Sequence, residues 1–369
     1  MLIALNLLYL IPGVVGGTET YARSLIHALA EEDRDNEYAI FLSREAKDID
    51  ITPAPNFERI VCPVVAMQRA ARYGWEQAVL PLQLLRRKPA LVHSLGYVSP
   101  LAATCPQVVA VHDVNYLGHK GRRTVLGRRA FQFFVERTVS RADRVITISE
   151  FSRSEIVKHM KVSKDKVTVV HPAGREKNGI AAAAEEHELV SSIGRPYILA
   201  FSSLSAHKNI PRLISAFSRI SSSVPHALVL VGHLPEKSEA RSQMQSASDE
   251  RVIFTGYIPD EQVDALMRRA SLFAFPSLYE GFGLPILDAQ HAGVPVACSS
   301  AGALPEAAGE GALLFDPHSV DDMASVLERC LVDMDLRETL VARGHENAAQ
   351  FSWGRAARET LAIYDAVAS

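Results

Sequence analysis

Short apolar runs alternate with helical patterns along the whole chain, and these runs predict twelve strands. Those in the first half are LIALNLL, EYAIFLS, ALVHSL, QVVAVHD, DRVITIS and KVTVVHP. Those in the second half are YILAFSSL, HALVLVGH, RVIFTGY, SLFAFPS, GVPVACS and GALLFDP. Amphipathic stretches such as residues 19–30 and 152–159 separate them. This alternation is typical of parallel sheets that are covered by helices on both faces.

The interval between the two strand series predicts a domain boundary near residue 173. The segment AGREKNGIAAAAEEHELVSSIGRP is polar and Ala-rich, which indicates an interdomain connection and a leading helix. The α/β pattern thus predicts two doubly wound, Rossmann-like domains, residues 1–172 and 173–352, facing across a cleft. In SWGRAARETLAIYDAVA, helical spacing of Ala356, Leu361, Tyr364 and Val367 predicts a final helix, 353–369, that completes the first domain.

Composition favours a cytoplasmic globular protein. The chain has 369 residues, 48% of them hydrophobic, which is enough for two cores. Its four cysteines are scattered without a CxxC pair, so neither a disulfide framework nor a structural zinc site is predicted. The apolar start, MLIALNLLYLI, lacks a basic flank and predicts a buried strand rather than a secretion signal. No apolar run reaches the roughly 18 residues of a membrane span.

The net charge of −3 hides an asymmetry between the halves. Residues 1–172 carry 23 Lys and Arg against 17 acids, whereas residues 173–369 carry 16 against 25. Residues 119–144 hold eight of the basic residues, interleaved with Phe131, Phe133 and Phe134. This segment either contacts an anionic membrane or a phosphate-bearing acceptor, or is a helix packed on one side and solvated on the other. A nucleic-acid partner is disfavoured, because the chain is acidic overall and has no recognised binding motif.

The stretch LYEGFGLPILDAQHAGVPV, residues 278–296, contains the most informative pattern. Pro285 suits the first turn of a helix. The backbone N–H groups of Gly283, Leu284 and Ile286 are then predicted to lack intrahelical partners and to form a site for an anion such as a diphosphate.

Two acids flank this helix start. Asp288 lies one turn into the helix, where its carboxylate can accept hydrogen bonds from a vicinal diol such as ribose, or simply interact with the helix dipole. Glu280 precedes the helix by a loop and can reach hydroxyl groups at the other end of the ligand. Together they would bracket a nucleotide diphosphate sugar.

Other candidates follow predicted strands. Lys208 lies between a strand and a helix, from which its ammonium can neutralise a leaving diphosphate, although an isolated lysine is commonly a solvated one. Gly16 and Gly17 permit close approach of the backbone to a phosphate or sugar, or form a tight turn. His112 ends another strand, a position at which an isolated histidine is more often structural. No GxGxxG follows the first strand, which disfavours a nicotinamide-dependent dehydrogenase.

The EGFGLP core and the seven residues between its acids resemble the EX7E signature of the retaining GT-B glycosyltransferases of family four. That family includes many bacterial mannosyltransferases. The chain departs from the signature because Asp288 stands where glutamate is usual. VVGGTETYARSLIHAL resembles the family's amino-terminal glycine loop, and ITISEFSRSEI its Ser-Glu-Phe-Ser segment. RVIFTGYIPDEQVDALMRRASLFAFPS is similar to the stretch before the signature, so the resemblance covers nearly the whole chain.

The resemblance implies roles for individual residues. His112, which contacts the donor sugar, Lys208 and Glu280 are the expected catalytic residues. Because serines stand where the family usually has an arginine before Lys208, that lysine is expected to carry more of the charge stabilisation. The acceptor-side candidates are Glu19, Tyr21 and Asp113. The donor-binding residues are Gly16, Gly17, Ser203, Lys208, Tyr257, Ile258, Glu280, Gly281, Phe282, Gly283, Leu284 and Asp288, with main-chain groups of Tyr257 and Ile258 holding the base.

The resulting hypothesis is retaining transfer of a hexose, with mannose from GDP-mannose as the leading choice. The acceptor would be a hydroxyl of a glycan or polyprenyl-linked oligosaccharide in bacterial surface polysaccharide or lipopolysaccharide synthesis, reached by a peripheral membrane enzyme. UDP-glucose, UDP-galactose and UDP-N-acetylglucosamine remain alternative donors. A non-catalytic nucleotide-sugar or glycan-binding relative, an epimerase and a phosphorylase remain alternative functions.

No cofactor and no metal are expected. Two Asp-x-Asp triplets, 48–50 and 333–335, do not follow strands at the carboxyl end of a predicted sheet. Lys208 and the helix start can supply the positive field instead.

Overall fold

The chain divides after Pro172 and again after Phe351 in this computed structural model. Unit 1 comprises Met1–Pro172 and Ser352–Ser369, and unit 2 comprises Ala173–Phe351. The structure describes residues 1–51, 54–118, 125–175, 188–203, 205–233 and 250–369. Most of the predicted connection, 176–187, and the first part of the basic segment, 119–124, lie outside these residues.

Unit 1 contains a parallel sheet with the order β3-β2-β1-β4-β5-β6-β7. All six predicted strands of this half are confirmed. The seventh, β3, was not predicted, because it lies at the sheet edge and exposes charged side chains such as Glu58 and Arg59. The strands are β1 Leu2–Leu7, β2 Glu37–Leu42, β3 Phe57–Val61, β4 Leu91–Ser94, β5 Gln107–Ala110, β6 Arg144–Thr147 and β7 Val167–Val169.

The final helix of the chain, Trp353–Ala368, packs in unit 1. Tyr364 is fully buried and its hydroxyl lies 2.6 Å from Nδ1 of His93. The predicted helix is confirmed, but Leu361 and Val367 are only half-buried, because the buried face runs through Ala357, Thr360 and Ile363. The other helices of unit 1 are Gly17–Glu32, Arg69–Ala78, Leu80–Arg87, Asn115–Gly118, Val125–Arg141 and Glu150–Met160.

Unit 2 contains a second parallel sheet, β10-β9-β8-β11-β12-β13, which repeats the order of the first six strands of unit 1 without a counterpart of β7 among the described residues. All six predicted strands are confirmed. Along β8, Ile198 and Ala200 belong to one apolar cluster and Tyr197 and Leu199 to another, so both faces of the sheet are covered. The strands are β8 Tyr197–Ser202, β9 Ala227–Gly232, β10 Val252–Gly256, β11 Leu272–Phe275, β12 Val296–Ser299 and β13 Ala312–Phe315.

The helices of unit 2 follow its strands and complete two layers around the sheet. In the part of the chain that the structure describes, no helix of either unit is long and apolar enough to span a bilayer. The α-helices of unit 2 are Glu188–Ile193, Ile210–Ile220, Asp260–Arg269, Leu284–His291, Leu304–Ala308, Val320–Val332 and Met334–Ala348, with a 3₁₀ turn at Ala206–Lys208.

Candidate functional site

The helix Leu284–His291 begins with unpaired backbone donors. Gly283 precedes it at φ 129°, and a Cβ atom there would lie 2.9 Å from the Leu304 side chain, so glycine is required. The prediction that the Ile286 N–H lacks a partner is wrong. This N–H donates a hydrogen bond to the Gly283 carbonyl at 2.9 Å, which tightens the first turn of the helix. The N–H groups of Gly283 and Leu284 have no hydrogen-bond partner among the described residues. These two donors remain available for an anion.

Lys208 and Glu280 form an ion pair in the loops that precede two helices of unit 2. Lys208 Nζ lies 2.7 Å from Glu280 Oε1, and the side chains are only 21% and 19% exposed. The ammonium also lies 5.1 Å from the centroid of the Phe275 ring. The structure therefore brings together two of the three residues that the sequence resemblance implies to be catalytic.

Asn209 holds the loops of this site together, and the sequence analysis did not single it out. Its backbone is left-handed, with φ 57°. Its Nδ2 donates to the carbonyls of Pro276 and Pro317, at 3.1 and 2.8 Å. The Leu278 N–H also donates to the His207 carbonyl at 2.7 Å. The loops after β8, β11 and β13 are thus hydrogen-bonded to one another, which fixes Lys208 relative to Glu280.

Asp288 has a partner that the sequence did not reveal. Its Oδ1 accepts a hydrogen bond from the Arg175 N–H at 2.7 Å, and the Arg175 guanidinium lies 3.2 Å from Asp264 and 3.6 Å from Asp260. Burial raises the pKa of Asp288 to about 6, against the lowering effect of the Arg175 N–H and charge. One oxygen of this carboxylate therefore holds the first residues of unit 2 against the helix.

The residues assigned to the nucleotide base differ in exposure. Tyr257 is 73% exposed and its ring stacks on His233 with centroids 5.9 Å apart. Ile258 is buried in the core, so it can offer a ligand only its main chain. Ser203 is partly exposed, and its Oγ accepts a hydrogen bond from the Ser205 N–H.

The remaining donor-side residues are packed into unit 2. Phe282 is buried, with its ring 5.5 Å from that of Phe351. Gly281 is also buried, whereas Leu284 is half-buried. These residues anchor the loop before the helix by packing against the interior of unit 2.

In unit 1, the glycine loop leads into the helix Gly17–Glu32. Gly16 has φ 60° and caps this helix without a side chain, while a Cβ at Gly16 or Gly17 would meet nothing within 4 Å. Glu19 accepts a hydrogen bond from the Gly13 N–H at 2.8 Å and lies 3.6 Å from Arg23. Glu19 thus stabilises the loop in front of its own helix.

His112 and Tyr21 lie together in the interior of unit 1. Their rings meet edge to face, 4.5 Å apart, and His112 Nε2 is 3.4 Å from the Leu95 carbonyl. Burial lowers the pKa of His112 to about 4, so the imidazole is neutral at pH 7. Tyr21 is buried, and its hydroxyl has no hydrogen-bond partner in the described part of the chain.

Asp113, another acceptor-side candidate, stabilises a short helix. Its Oδ1 accepts a hydrogen bond from the Asn115 N–H at 2.9 Å, at the start of Asn115–Gly118. This hydrogen bond gives the carboxylate a role in the local turn.

Comparison with known proteins identifies relatives of both units. The model of Glycosyltransferase Family 4 matches residues 15–173, and that of Glycosyl transferases group 1 matches residues 184–347. The O-antigen chain mannosyltransferase B of Escherichia coli is 28% identical over 319 residues, which are 77% of this chain and 82% of the relative. The MMP alpha-(1->4)-mannosyltransferase of Mycolicibacterium hassiacum is 30% identical over 314 residues, 80% of this chain and 72% of the relative.

Solved structures show the same fold. The sucrose-phosphate synthase from Thermosynechococcus elongatus aligns with a TM-score of 0.79 at 20% sequence identity, over 99% of this chain and 98% of that one. The similarity therefore extends over both units.

Proposed function

Because this chain belongs to glycosyltransferase family 4, we propose that it transfers mannose from GDP-mannose to a hydroxyl of a bacterial surface glycan, with retention of configuration. The observation that carries the proposal is the Lys208–Glu280 pair, held at 2.7 Å in the same unit as the uncapped helix start. Two relatives are named as mannosyltransferases, which supports mannose as the sugar. The chain is a glycosyltransferase with the GT-B fold, and the finer assignment is the proposal.

The donor diphosphate would bind at the start of the helix Leu284–His291. The N–H groups of Gly283 and Leu284 point a partial positive charge at its oxygens, and Lys208 adds a full one. Because these donors are fixed before the reaction, they stabilise the charge that develops on the leaving group. One strong donor of this kind is worth about 3–4 kcal/mol of barrier.

The two carboxylates would orient the donor from either side. Glu280 accepts a hydrogen bond from Lys208 through Oε1. Its other oxygen would accept hydrogen bonds from hydroxyl groups of the hexose. Asp288 would bind the ribose diol while its Oδ1 retains the Arg175 N–H. A neutral His112 would contact the sugar as a hydrogen-bonding group and not as a charge.

Retention would follow from attack on the same face of the sugar that the phosphate leaves. The bond between the anomeric carbon and the phosphate oxygen breaks, and the bond to the acceptor oxygen forms. The acceptor proton passes to the departing phosphate, so no protein nucleophile is required. Lys208 and the helix start supply the positive charge, and the proposal therefore includes no metal and no cofactor.

The acceptor in this proposal is a glycan or a polyprenyl-linked oligosaccharide at the cytoplasmic face of a membrane. The helix Val125–Arg141 supports such contact through Phe133, which is 51% exposed and lies against the Arg137 guanidinium. Its other face packs in unit 1 through Phe131, Val135 and Val139. Binding to anionic vesicles should be sensitive to salt and should be lost when Arg122, Arg123, Arg128 and Arg129 are neutralised. Arg128 and Arg129 lie in this helix, whereas Arg122 and Arg123 lie outside the described residues.

The test is incubation of the protein with a panel of nucleotide sugars and lipid-linked or free glycan acceptors. We expect GDP release and an α-mannosyl product from GDP-mannose, with the anomeric configuration read by NMR. Preferential turnover of a UDP-sugar would show that this sugar nucleotide, and not GDP-mannose, is the donor. Binding of nucleotide sugars without transfer to any acceptor would identify a non-catalytic relative and contradict the proposal.

A further inference from the structure

The helix Arg69–Ala78 buries two charged side chains and exposes most of the rest. Arg72 is 8% exposed and Glu76 is 4% exposed, one helical turn apart. The Nε atom of Arg72 is buried without a hydrogen-bond partner. In the described part of unit 1 no carboxylate lies within 4 Å of its guanidinium, which packs over the Tyr73 ring at 4.4 Å from the centroid. A buried guanidinium in this state is costly unless something neutralises it.

Glu76 does not neutralise Arg72 directly. Its Oε1 accepts a hydrogen bond from Asn6 Nδ2 at 2.6 Å, and the same Nδ2 lies 3.1 Å from Ser94 Oγ. Burial raises the pKa of Glu76, although Arg72 and Asn6 act in the opposite direction. Glu76 is therefore committed to the strand ends at Asn6 and Ser94, and its charged form is disfavoured.

The location is one where a ligand is expected. Asn6 and Ser94 lie at the carboxyl ends of β1 and β4, and open parallel sheets bind their ligands beyond these ends. The ring of Tyr9 passes so close to Gly96 that a Cβ there would lie 2.1 Å from it. Arg72 lies one helical turn before Glu76, whose carboxylate is hydrogen-bonded at this edge of the sheet.

We propose that Arg72 binds an oxyanion of the acceptor, a phosphate or a carboxylate, beyond the carboxyl ends of β1 and β4. The planar guanidinium matches such a group with two parallel hydrogen bonds, which an ammonium cannot make. The inference rests on the proposed function in one respect, namely that unit 1 receives the acceptor. A lipid-linked diphosphate and an acidic sugar would both supply the required group.

Anion binding is measured first by thermal unfolding in inorganic phosphate, with acetate as the carboxylate arm. Both tryptophans, Trp75 and Trp353, lie in unit 1, so their fluorescence follows this unit. In this binding experiment, but not in the kinetic one below, the parent and all variants carry Lys208→Ala, which removes the positive charge of the other anion site. At a phosphate concentration ten times its Kd the stabilisation is about 1.4 kcal/mol, so we expect the melting temperature to rise by about 3–6 °C.

The rise should vanish in Arg72→Gln and persist in Arg69→Gln, because Arg69 is exposed on the same helix. Glu76→Gln keeps the acceptor for Asn6 and leaves Arg72 in place, so it should bind phosphate at least as tightly as the parent. This variant keeps the test decisive if Arg72→Gln does not fold. A phosphate response that is unchanged in Arg72→Gln, or lost in Glu76→Gln, would overturn the inference.

Kinetics with matched acceptors that differ only in one phosphate provide the second measurement. Arg72→Gln should raise KM for the phosphorylated acceptor by about 10- to 100-fold, as loss of a charged hydrogen bond does, and leave KM for the other unchanged. An equal effect on both acceptors would show a structural role only. A third outcome separates the two proposals. If no donor reacts but the phosphate-induced rise in melting temperature still depends on Arg72, the proposed function is contradicted and the anion site is supported.

Discussion

The two units have similar strand orders but differ in how their candidate charged side chains are paired. In unit 2 the candidate side chains are already paired, Lys208 with Glu280 and Asp288 with the Arg175 N–H. In unit 1 His112 is buried as a neutral ring and Arg72 is buried without a carboxylate partner in the described residues. If the two proposals are right, unit 2 would bind the diphosphate with groups that are already in place, whereas Arg72 in unit 1 would gain its counter-charge from the ligand.

The glycines that begin the two relevant helices show the same contrast in packing. Gly283 and Gly16 both have positive φ values, and neither helix has a side-chain cap. A side chain at Gly283 would collide with Leu304, whereas one at Gly16 would enter open space. The helix start in unit 2 is therefore fixed by packing as well as by backbone conformation.

The largest effect is expected from a substitution that breaks the Lys208–Glu280 ion pair of unit 2. Lys208→Ala should lower kcat by about 10²–10³, because it removes a preorganised charge from the leaving diphosphate. Steady-state rates of GDP release measure the change, and Lys164→Ala, at an exposed lysine of unit 1, is the control. Wild-type turnover in Lys208→Ala would show that the pair is structural.

The next effect concerns the neutral interior of unit 1. Burial lowers the pKa of His93 to about 3 and that of His112 to about 4, from 6.5. The unfolded chain therefore binds protons that the folded unit does not, and stability falls as the pH drops from 6.5 towards 4. Two such groups give a slope of about 2.7 kcal/mol per pH unit.

Urea unfolding followed by tryptophan fluorescence at pH 7.5, 6.5 and 5.5 tests this slope. His112→Gln should remove about half of it, since one titrating group is lost. A slope that is the same in the variant and the parent would show that His112 is not buried as a neutral group.

A smaller effect sharpens the description of Asp288. Its folded pKa of about 6 exceeds the usual 3.8, so the ionised carboxylate costs stability above pH 6 and the cost disappears as the pH falls towards 4. Asp288→Asn should therefore stabilise unit 2 by about 1–3 kcal/mol at pH 7.5. The amide oxygen can still accept from the Arg175 N–H, whereas Asp288→Ala leaves that donor unpaired and should destabilise the unit.

Calorimetry at pH 7.5 and 5 separates these outcomes, because the advantage of Asp288→Asn over the parent should shrink at the lower pH. A rise in KM for GDP-mannose in the same variant would support the ribose contact. Destabilisation of Asp288→Asn at pH 7.5 would contradict the raised pKa.

The smallest effect is expected for Tyr364→Phe. This change removes the 2.6 Å hydrogen bond to His93 and leaves the ring in place, which should cost unit 1 about 1 kcal/mol. Urea unfolding followed by Trp353 fluorescence measures the loss. Tyr257→Phe, at the exposed tyrosine of unit 2, should have no effect on the same transition, and equal destabilisation by both would argue against a specific role for Tyr364.

The sequence predicted the buried part of each sheet because strands covered on both faces are nearly continuous apolar runs. It did not predict β3, since this edge strand is only five residues long and its sequence, FERIV, has two adjacent charged residues instead of a continuous apolar run. The charged residues near the signature were identified from their spacing. Arg175 was missed, because its contact with Asp288 joins residues 113 positions apart and depends on tertiary structure.

Arg72 and Glu76 were missed for a different reason. A pattern of apolar positions assigns charged residues to the solvent, and this helix reverses the rule. One signal was visible, the polar Asn6 within the apolar run LIALNLL, because a buried amide in a strand needs polar partners.

The contribution of Trp353–Ala368 to unit 1 has a consequence for synthesis on the ribosome. All of unit 2 is synthesised before the last helix of unit 1. Until then Tyr21 and His93 lack the partners that Trp353 and Tyr364 provide. The interior of the amino-terminal part of unit 1 is therefore incompletely covered until the helix Trp353–Ala368 has been synthesised and has packed against it.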